Sequence, residues 1–139
     1  VIAGGVEFES KYMKELQALS SGENIIFTGY TYGDNLYQLY TYAGLYVLAS
    51  RNEGFPLALL ESMRYGLDVL VSDISATHLV DLDADDYFEC GNEMILSEKI
   101  SERLKVTRKR KYDLSKYDWN QVAKEMSYIF HQLVGEKHD

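Results

Sequence analysis

An apolar run that stops at a polar loop and resumes with helical spacing constrains this fold more than any other feature. Residues 45–49 predict a buried strand, and residues 57–64 carry apolar side chains at helical spacing. The loop between them, residues 50–56, contains Gly54 and Pro56, the only proline of the chain. The order of strand, glycine-containing loop and helix is typical of an open parallel sheet, in which ligands bind at the carboxyl ends of the strands.

The chemistry of this loop favours an anionic ligand. Gly54 lets a ligand approach the backbone closely, because it has no side chain. Pro56 is tolerated in the first turn of a helix. We expect the amides around Phe55, Leu57 and Ala58 to form the helix start and to bind phosphate oxygens.

Two carboxylates bracket the same segment. Glu53 stands at the end of the strand, and Glu61 follows it about one turn into the helix. Because carboxylates accept hydrogen bonds from hydroxyl groups, the expected ligand has hydroxyls at both ends and phosphate in the middle, as a sugar nucleotide does. Without their sequence context, the two glutamates would be interpreted as a solvated acid in a loop and an acid on a helix surface. Arg51 is either a phosphate contact or a surface cation.

Several motifs together point to one family. The segment from Glu53 to Glu61 resembles the E-x7-E signature of retaining GT-B glycosyltransferases. Further segments resemble that family in the same order along the chain, at residues 1–5, 24–30, 36–50, 65–73 and 117–123. The resemblance covers nearly the whole chain. One departure is Asp68, which stands where the family usually has proline.

The resemblance implies an α/β fold with a Rossmann-like parallel sheet flanked by helices, the C-terminal half of a GT-B fold. Residues 1–139 are then the donor domain, which binds the nucleotide sugar, without its first strand and without the N-terminal acceptor domain. The family's arginine and lysine that clamp the diphosphate would lie upstream. The implied reaction is glycosyl transfer with retention to a saccharide or lipid-linked acceptor, as in polysaccharide biosynthesis. It needs no metal and no cofactor, since the nucleotide sugar is a substrate.

Residue roles follow from the resemblance alone. Glu53 would be the catalytic residue, binding a hydroxyl of the donor sugar and orienting its anomeric carbon, and Glu61 would bind the ribose hydroxyls. The donor-binding set is completed by Gly54, Phe55, Leu57, Ala58, Arg51 and Tyr30. Tyr30 would lie near the nucleotide base, where its ring either stacks on the base or packs within the protein, and packing is favoured.

Composition restricts the other partners. A net charge of −8 argues against nucleic acid, which demands a basic surface. The single cysteine, Cys90, cannot form an internal disulfide, which favours a reducing, cytoplasmic setting, and we interpret it as a buried thiol. No apolar run approaches the length of a membrane span. The basic run at residues 108–111 leaves peripheral contact with the inner face of a membrane open, although a solvated helix end is favoured.

The remaining polar residues receive structural interpretations. The acidic run at residues 81–86 lacks the glycine and glutamate of a calcium loop, so an exposed loop is expected. Asp73 is interpreted as a turn cap and His78 only weakly as a base. Trp119 is expected to be structural, at the start of a last helix.

Two other functions remain open. One is a non-catalytic module that binds nucleotide sugars and partners another chain. The other is a related GT-B enzyme, such as a sugar-nucleotide epimerase or an enzyme resembling glycogen phosphorylase. An epimerase of this kind would carry catalytic acids and histidines in both of its domains, so only a longer sequence could show them.

Overall fold

The chain forms two compact units, Val1–Tyr42 and Ala43–Asp139. The computed structural model describes residues 1–5 and 11–135. Strand pairing is parallel within each unit, and helices flank the strands. The predicted α/β class with parallel sheets is therefore confirmed.

The first unit contains four elements: β1 (Ile2–Ala3), α1 (Lys11–Leu19), β2 (Phe27–Gly29) and α2 (Gly33–Tyr42). β1 and β2 pair in parallel. The predicted first helix began at Glu9, which lies outside the described residues. Tyr40 of α2 is 8% exposed, whereas Tyr37 and Tyr42 are exposed, so this helix has one buried face.

The second unit contains β3 (Tyr46–Leu48), α3 (Leu57–Arg64), β4 (Val69–Ser72), β5 (Tyr87–Phe88), α4 (Glu93–Arg103) and α5 (Trp119–Gly135). Its sheet has the order β3-β4-β5, and all three strands run in parallel. Their carboxyl ends therefore lie at one edge of the sheet, here called the carboxyl edge. The opposite edge, where the strands begin, is called the amino edge.

The core of this unit lies between α3 and β4. Leu59 and Met63 of the helix form one cluster with Val69, Val71 and Val80. All four residues of β4 are buried, which explains its apolar run of Val69–Leu70–Val71, because a strand covered on both faces needs no alternation. Burial of such side chains stabilises the fold by about 1.5–3 kcal/mol each.

A glycine caps the end of α3. Gly66 has a φ of +69°, and its amide donates to the Met63 carbonyl at 2.9 Å. The Arg110 amide donates in turn to the Gly66 carbonyl at 2.9 Å. A Cβ on Gly66 would lie 2.8 Å from the Arg110 carbonyl oxygen, so only glycine fits this approach of two backbones.

Buried ion pairs occupy the amino edge. Asp68, directly before β4, and Asp86, directly before β5, are each 1% exposed. Arg103 Nη1 donates to Asp68 Oδ1 at 2.7 Å, and Arg110 Nη1 donates to Asp86 Oδ1 at 2.6 Å. Burial by itself lowers the pKa of Arg103, but its hydrogen bonds with the aspartates outweigh this and raise the pKa. These four side chains are called the amino-edge network.

The network corrects two predictions. The acidic run at residues 81–86 is not simply an exposed loop, because Asp86 is buried and Asp83 accepts from Arg110 Nη2 at 2.7 Å. The basic run at residues 108–111 is not a solvated helix end, because α4 ends at Arg103. The two runs are not separate surface features, because Arg110 of the basic run pairs with Asp83 and Asp86 of the acidic run.

The last helix also differs from expectation. α5 covers the predicted segment, and its first turn is capped by Asp118, whose Oδ1 accepts from the Asn120 amide at 2.8 Å. Trp119, however, is 80% exposed, so the described residues do not give it the predicted packing role. In the part of the chain that the structure describes, no helix is both long enough and apolar enough to cross a membrane.

Candidate functional site

The loops that follow β3 and β5 meet at the carboxyl edge. The Cys90 thiol, just after β5, lies 3.9 Å from the Ser50 carbonyl oxygen in the loop after β3. Cys90 is half-buried, not fully buried as predicted. On the neighbouring strand, the Ser72 hydroxyl donates to the Leu48 carbonyl at 3.3 Å. Side chains from separate loops are thus held at one edge, where a parallel sheet binds its ligands.

Glu53 is held in place by a neutral group. The Ser50 hydroxyl donates to Glu53 Oε1 at 2.6 Å, and the glutamate is half-buried. Among residues 1–5 and 11–135 no cation lies within ion-pair distance of it. The Glu53 carboxylate is therefore oriented and keeps its capacity to accept further hydrogen bonds.

The fold brings Glu53 and Glu61 to one tyrosine. Glu61 is exposed on α3, and Tyr46 lies on β3. Burial raises the pKa of Tyr46 to about 12, with further contributions from the negative charges of Glu53 and then Glu61. Both carboxylates thus lie close enough to Tyr46 to affect its ionisation, while their roles in donor binding stay predictions.

The start of α3 is less open than the sequence suggests. The Leu57 amide donates to the Phe55 carbonyl at 2.9 Å, so a phosphate could bind it only if this bond opened. The Gly54 and Phe55 amides donate to no group that the structure describes. A Cβ on Gly54 would meet no atom within 4 Å, which leaves space for a ligand beside the backbone. Ala58 lies exposed in the first turn of the helix.

Arg51 lies on the β5 side of the loop. It is exposed, and one guanidinium nitrogen lies 3.9 Å from the position of a Cβ on Gly91. An open depression of about 360 Å³ is lined by residues 89–94, at the start of α4. Asn92 caps this helix as predicted, because its side chain accepts from the Ile95 amide at 3.1 Å. The depression had no sequence signal.

A histidine and an aspartate pair after β4. His78 Nε2 lies 2.6 Å from Asp73 Oδ1, and its ring stacks on Tyr87 at 4.6 Å between centroids. The buried Thr77 hydroxyl fixes this loop by donating to the Ser72 carbonyl at 2.7 Å. Sequence reasoning missed the pair, because it interprets the two residues separately, as a turn cap and as a weak candidate base.

Tyr30 belongs to the first unit, where it follows β2. It is 57% exposed and stacks on Tyr32 with the ring planes 9° apart and the centroids 6.3 Å apart. A Cβ on Gly5 would lie 2.5 Å from the Tyr30 ring, so the ring covers the Gly5 backbone. Tyr30 thus packs within the first unit and stays largely exposed. Stacking on a nucleotide base stays a prediction.

Comparison with known proteins identifies the family. Residues 1–117 match the model of the family "Glycosyl transferases group 1". The chain belongs to this family. Among the described residues of this group 1 glycosyltransferase domain, no cluster of three or more histidine, cysteine, aspartate or glutamate side chains could hold a metal ion.

Relatives agree with this assignment. The domain is 27% identical to an uncharacterized glycosyltransferase of Methanocaldococcus jannaschii, a match that covers 94% of this chain and 36% of the relative. It is 34% identical to a sulfoquinovosyl transferase of Arabidopsis thaliana over 46% of this chain and 12% of that protein.

A solved structure supports the same fold. The crystal structure of the catalytic domain of cholesterol-α-glucosyltransferase from Helicobacter pylori matches with a TM-score of 0.61 and 25% identity, covering 74% of this chain and 65% of that one. By length, the domain spans only about a third of the archaeal relative and about an eighth of the plant relative. The predicted GT-B glycosyltransferase family is confirmed.

Proposed function

We propose that this domain binds a nucleotide-diphosphate sugar and serves a transferase that moves the glycosyl group, with retention, to a saccharide or lipid-linked acceptor. The observation that carries the proposal is the orientation of Glu53 by the Ser50 hydroxyl, in the loop that leads directly into α3, the helix that carries Glu61. Family membership supports it independently.

Each residue of the proposed site would bind a different part of the nucleotide sugar. Glu53, oriented by Ser50, would accept a hydrogen bond from a hydroxyl of the donor sugar and fix the anomeric carbon. Glu61 would accept from the ribose hydroxyls. The Gly54 and Phe55 amides, with Leu57 and Ala58 behind them, would meet the diphosphate, and Arg51 would add positive charge.

The proposed reaction needs charge stabilisation more than a base. The bond between the anomeric carbon and the diphosphate oxygen breaks, and a bond to the acceptor oxygen forms on the same face of the sugar. The leaving diphosphate gains negative charge and takes up the acceptor proton. Amides and cations aimed at the diphosphate would stabilise this charge, and stabilisation of this kind often contributes more to the rate than any other effect.

The rest of the enzyme is also part of the proposal. An upstream domain would supply the acceptor site and the arginine and lysine that clamp the diphosphate, so the domain alone would be inactive. The similarity to a cholesterol-α-glucosyltransferase supports a lipid among the acceptor classes. The net charge of −8 supports a partner other than nucleic acid. We place the enzyme in the cytoplasm, at the inner face of the membrane when its acceptor is a lipid.

Calorimetric titration with UDP, GDP, ADP and their common sugar conjugates tests the donor site. We expect selective binding of one nucleotide series and a loss of at least about tenfold in affinity in Glu61→Ala, because a hydrogen bond to a charged group contributes about 1.5–3 kcal/mol. Glu98→Ala, which removes an exposed acid from α4, is the matched control and should bind as the wild type does.

Equal affinity in the wild type and Glu61→Ala would contradict the proposed role of Glu61. The full-length protein separates the alternative functions. Transfer activity that Glu53→Ala abolishes would exclude the non-catalytic module, whereas nucleotide binding without transfer would favour it. Inversion of a sugar carbon without an acceptor would favour the epimerase.

A further inference from the structure

The glycine-containing loop has few contacts of its own. Within residues 49–56 one side-chain hydrogen bond joins Ser50 and Glu53, and the Gly54 and Phe55 amides donate to nothing that the structure describes. A loop with so few internal bonds needs an external contact to hold one conformation. The Phe55 ring makes such a contact.

That contact is with Tyr117, far along the sequence. The two ring centroids lie 6.1 Å apart with planes inclined by 50°, a geometry that aromatic pairs prefer. Phe55 remains 43% exposed, so the Tyr117 ring covers one side of it and leaves the other side open. A ligand that binds over the Gly54 backbone would therefore contact a loop that Tyr117 supports through Phe55.

Tyr117 is itself tied to a second loop. Its hydroxyl donates to the Leu79 carbonyl at 3.0 Å, in the turn that follows β4 and also contains His78. Its ring and its hydroxyl thus contact the loops after two neighbouring strands of the sheet. One side chain fixes the spacing of these loops at the carboxyl edge.

The backbone of Tyr117 is anchored well enough for this task. It ends a 3-10 turn in which its amide donates to the Leu114 carbonyl at 3.0 Å, and Leu114 packs against the core. The Lys116 ammonium group lies 5.1 Å from the Tyr117 ring centroid and pairs with Asp81. The ring is therefore positioned by the core and not only by the loops that it contacts.

We propose that Tyr117 is a positioning residue of the donor site, which supports Phe55 and so keeps the Gly54 amide and Glu53 in the geometry that binds the nucleotide sugar. This inference rests on the proposed function. It extends the site to a residue that binds no ligand itself and lies 56 positions beyond Glu61 in the sequence.

NMR relaxation of the complete chain without ligand tests the support directly. In Tyr117→Leu, which removes the ring and the hydroxyl, we expect the ¹⁵N order parameters of Gly54 and Phe55 to fall while those of the buried strand β4 stay unchanged. Tyr117→Phe keeps the ring and should retain most of the order. Tyr128→Leu on α5, an exposed tyrosine whose hydroxyl accepts from Gln132, is the matched control.

Affinity gives the second readout, with whichever of UDP, GDP and ADP the wild-type chain binds. We expect Tyr117→Leu to weaken binding by about three- to tenfold and Tyr117→Phe by at most about twofold, from the usual contribution of an aromatic pair. If Tyr117→Phe binds nearly as the wild type does, the ring itself supports the loop. A general loss of folding in Tyr117→Leu would instead also lower the order parameters of β4.

Unchanged order parameters and unchanged affinity in a folded Tyr117→Leu variant would overturn the proposal. If that variant does not fold, Phe55→Leu removes the same ring contact from the loop side, and unchanged order at Gly54 would overturn it equally. If no nucleotide binds the wild-type chain, the donor-site proposal fails on that result, and the order parameters still decide whether Tyr117 positions the loop.

Discussion

The two edges of the β3-β4-β5 sheet both carry charge but differ in how that charge is compensated. At the amino edge, Asp68 and Asp86 are buried, and Arg103 and Arg110 supply positive charge at 2.6–3.3 Å. At the carboxyl edge, Glu53 is half-buried and bonded to the Ser50 hydroxyl. The first arrangement pairs its acids with cations of the protein, whereas the second orients its acid through a hydroxyl and gives it no cation among the described residues.

This difference separates acids that stabilise the fold from acids that bind a ligand. A carboxylate already paired with arginine has little capacity left for a partner from solution. A carboxylate held by a hydroxyl is fixed in direction and still attracts donors. One oxygen at the amino edge departs from this pairing. Asp68 Oδ2 is buried and has no hydrogen-bond partner among the described atoms.

The largest effect should come from breaking the amino-edge network. Arg103→Met should lower the free energy of unfolding by about 3–5 kcal/mol, because it leaves buried aspartates without one of their two cations. Urea denaturation measures this. Lys99→Met, which removes an ion pair to the 76% exposed Asp85, is the control and should cost about 1 kcal/mol or less. Equal losses in both variants would show that burial of the network adds nothing to stability.

At the carboxyl edge the effect should fall on activity instead. In the full-length transferase, Glu53→Gln should lower the rate of glycosyl transfer by about a hundredfold, since groups that stabilise a transition state commonly contribute that much. The free energy of unfolding should stay within about 0.5 kcal/mol. Glu98→Gln is the control for loss of a negative charge. A variant that is both inactive and unstable would remove the contrast between the two edges.

Features that depend on local pattern could be predicted from the sequence. The apolar run of β4, the glycine that ends α3 and the spacing of Glu53 and Glu61 are each encoded within a few residues. The strand and the glycine are found in the structure because short-range geometry decides them. The candidate site is a prediction of the same local kind, since one loop and one helix carry most of it.

Features that depend on distant partners could not be predicted. Asp68 and Arg103 are 35 positions apart, and each belongs to a segment that looks like ordinary surface. The contact of Phe55 with Tyr117 is of the same kind. The bond between the Leu57 amide and the Phe55 carbonyl was missed for another reason, because the signature fixes residue types and not the conformation of the turn around Pro56.

Two glycines offer a smaller test of the same contrast. Gly66→Ala should cost about 1–3 kcal/mol of stability, because its φ is +69° and the new Cβ would lie 2.8 Å from a backbone oxygen. In Gly54→Ala the new Cβ would meet no atom within 4 Å, so the free energy of unfolding should stay within about 0.5 kcal/mol of the wild type. The same substitution should weaken nucleotide binding. Thermal unfolding and calorimetry measure the two effects. Destabilisation by Gly54→Ala would show that the loop is packed and not open.

The smallest effect concerns the ionisation of Tyr46, whose pKa is raised from 10 to about 12. Removing one negative charge in Glu53→Gln or Glu61→Gln should lower this pKa, and Glu98→Gln should not change it. Carbon-13 NMR of the ring, assigned through Tyr46→Phe, measures the titration. An unchanged pKa in both variants would show that the two carboxylates do not share this site.

The same ionisation affects stability in a defined pH range. Above pH 10 the unfolded chain releases the Tyr46 proton, while the folded chain holds it until about pH 12. The folded state binds more protons in this window, so the free energy of unfolding should fall as pH rises, by up to about 1.4 kcal/mol per pH unit from this group. Glu53→Gln lowers the folded pKa and should make that fall smaller. A total fall as large as in the wild type would mean that the charge of Glu53 does not reach Tyr46.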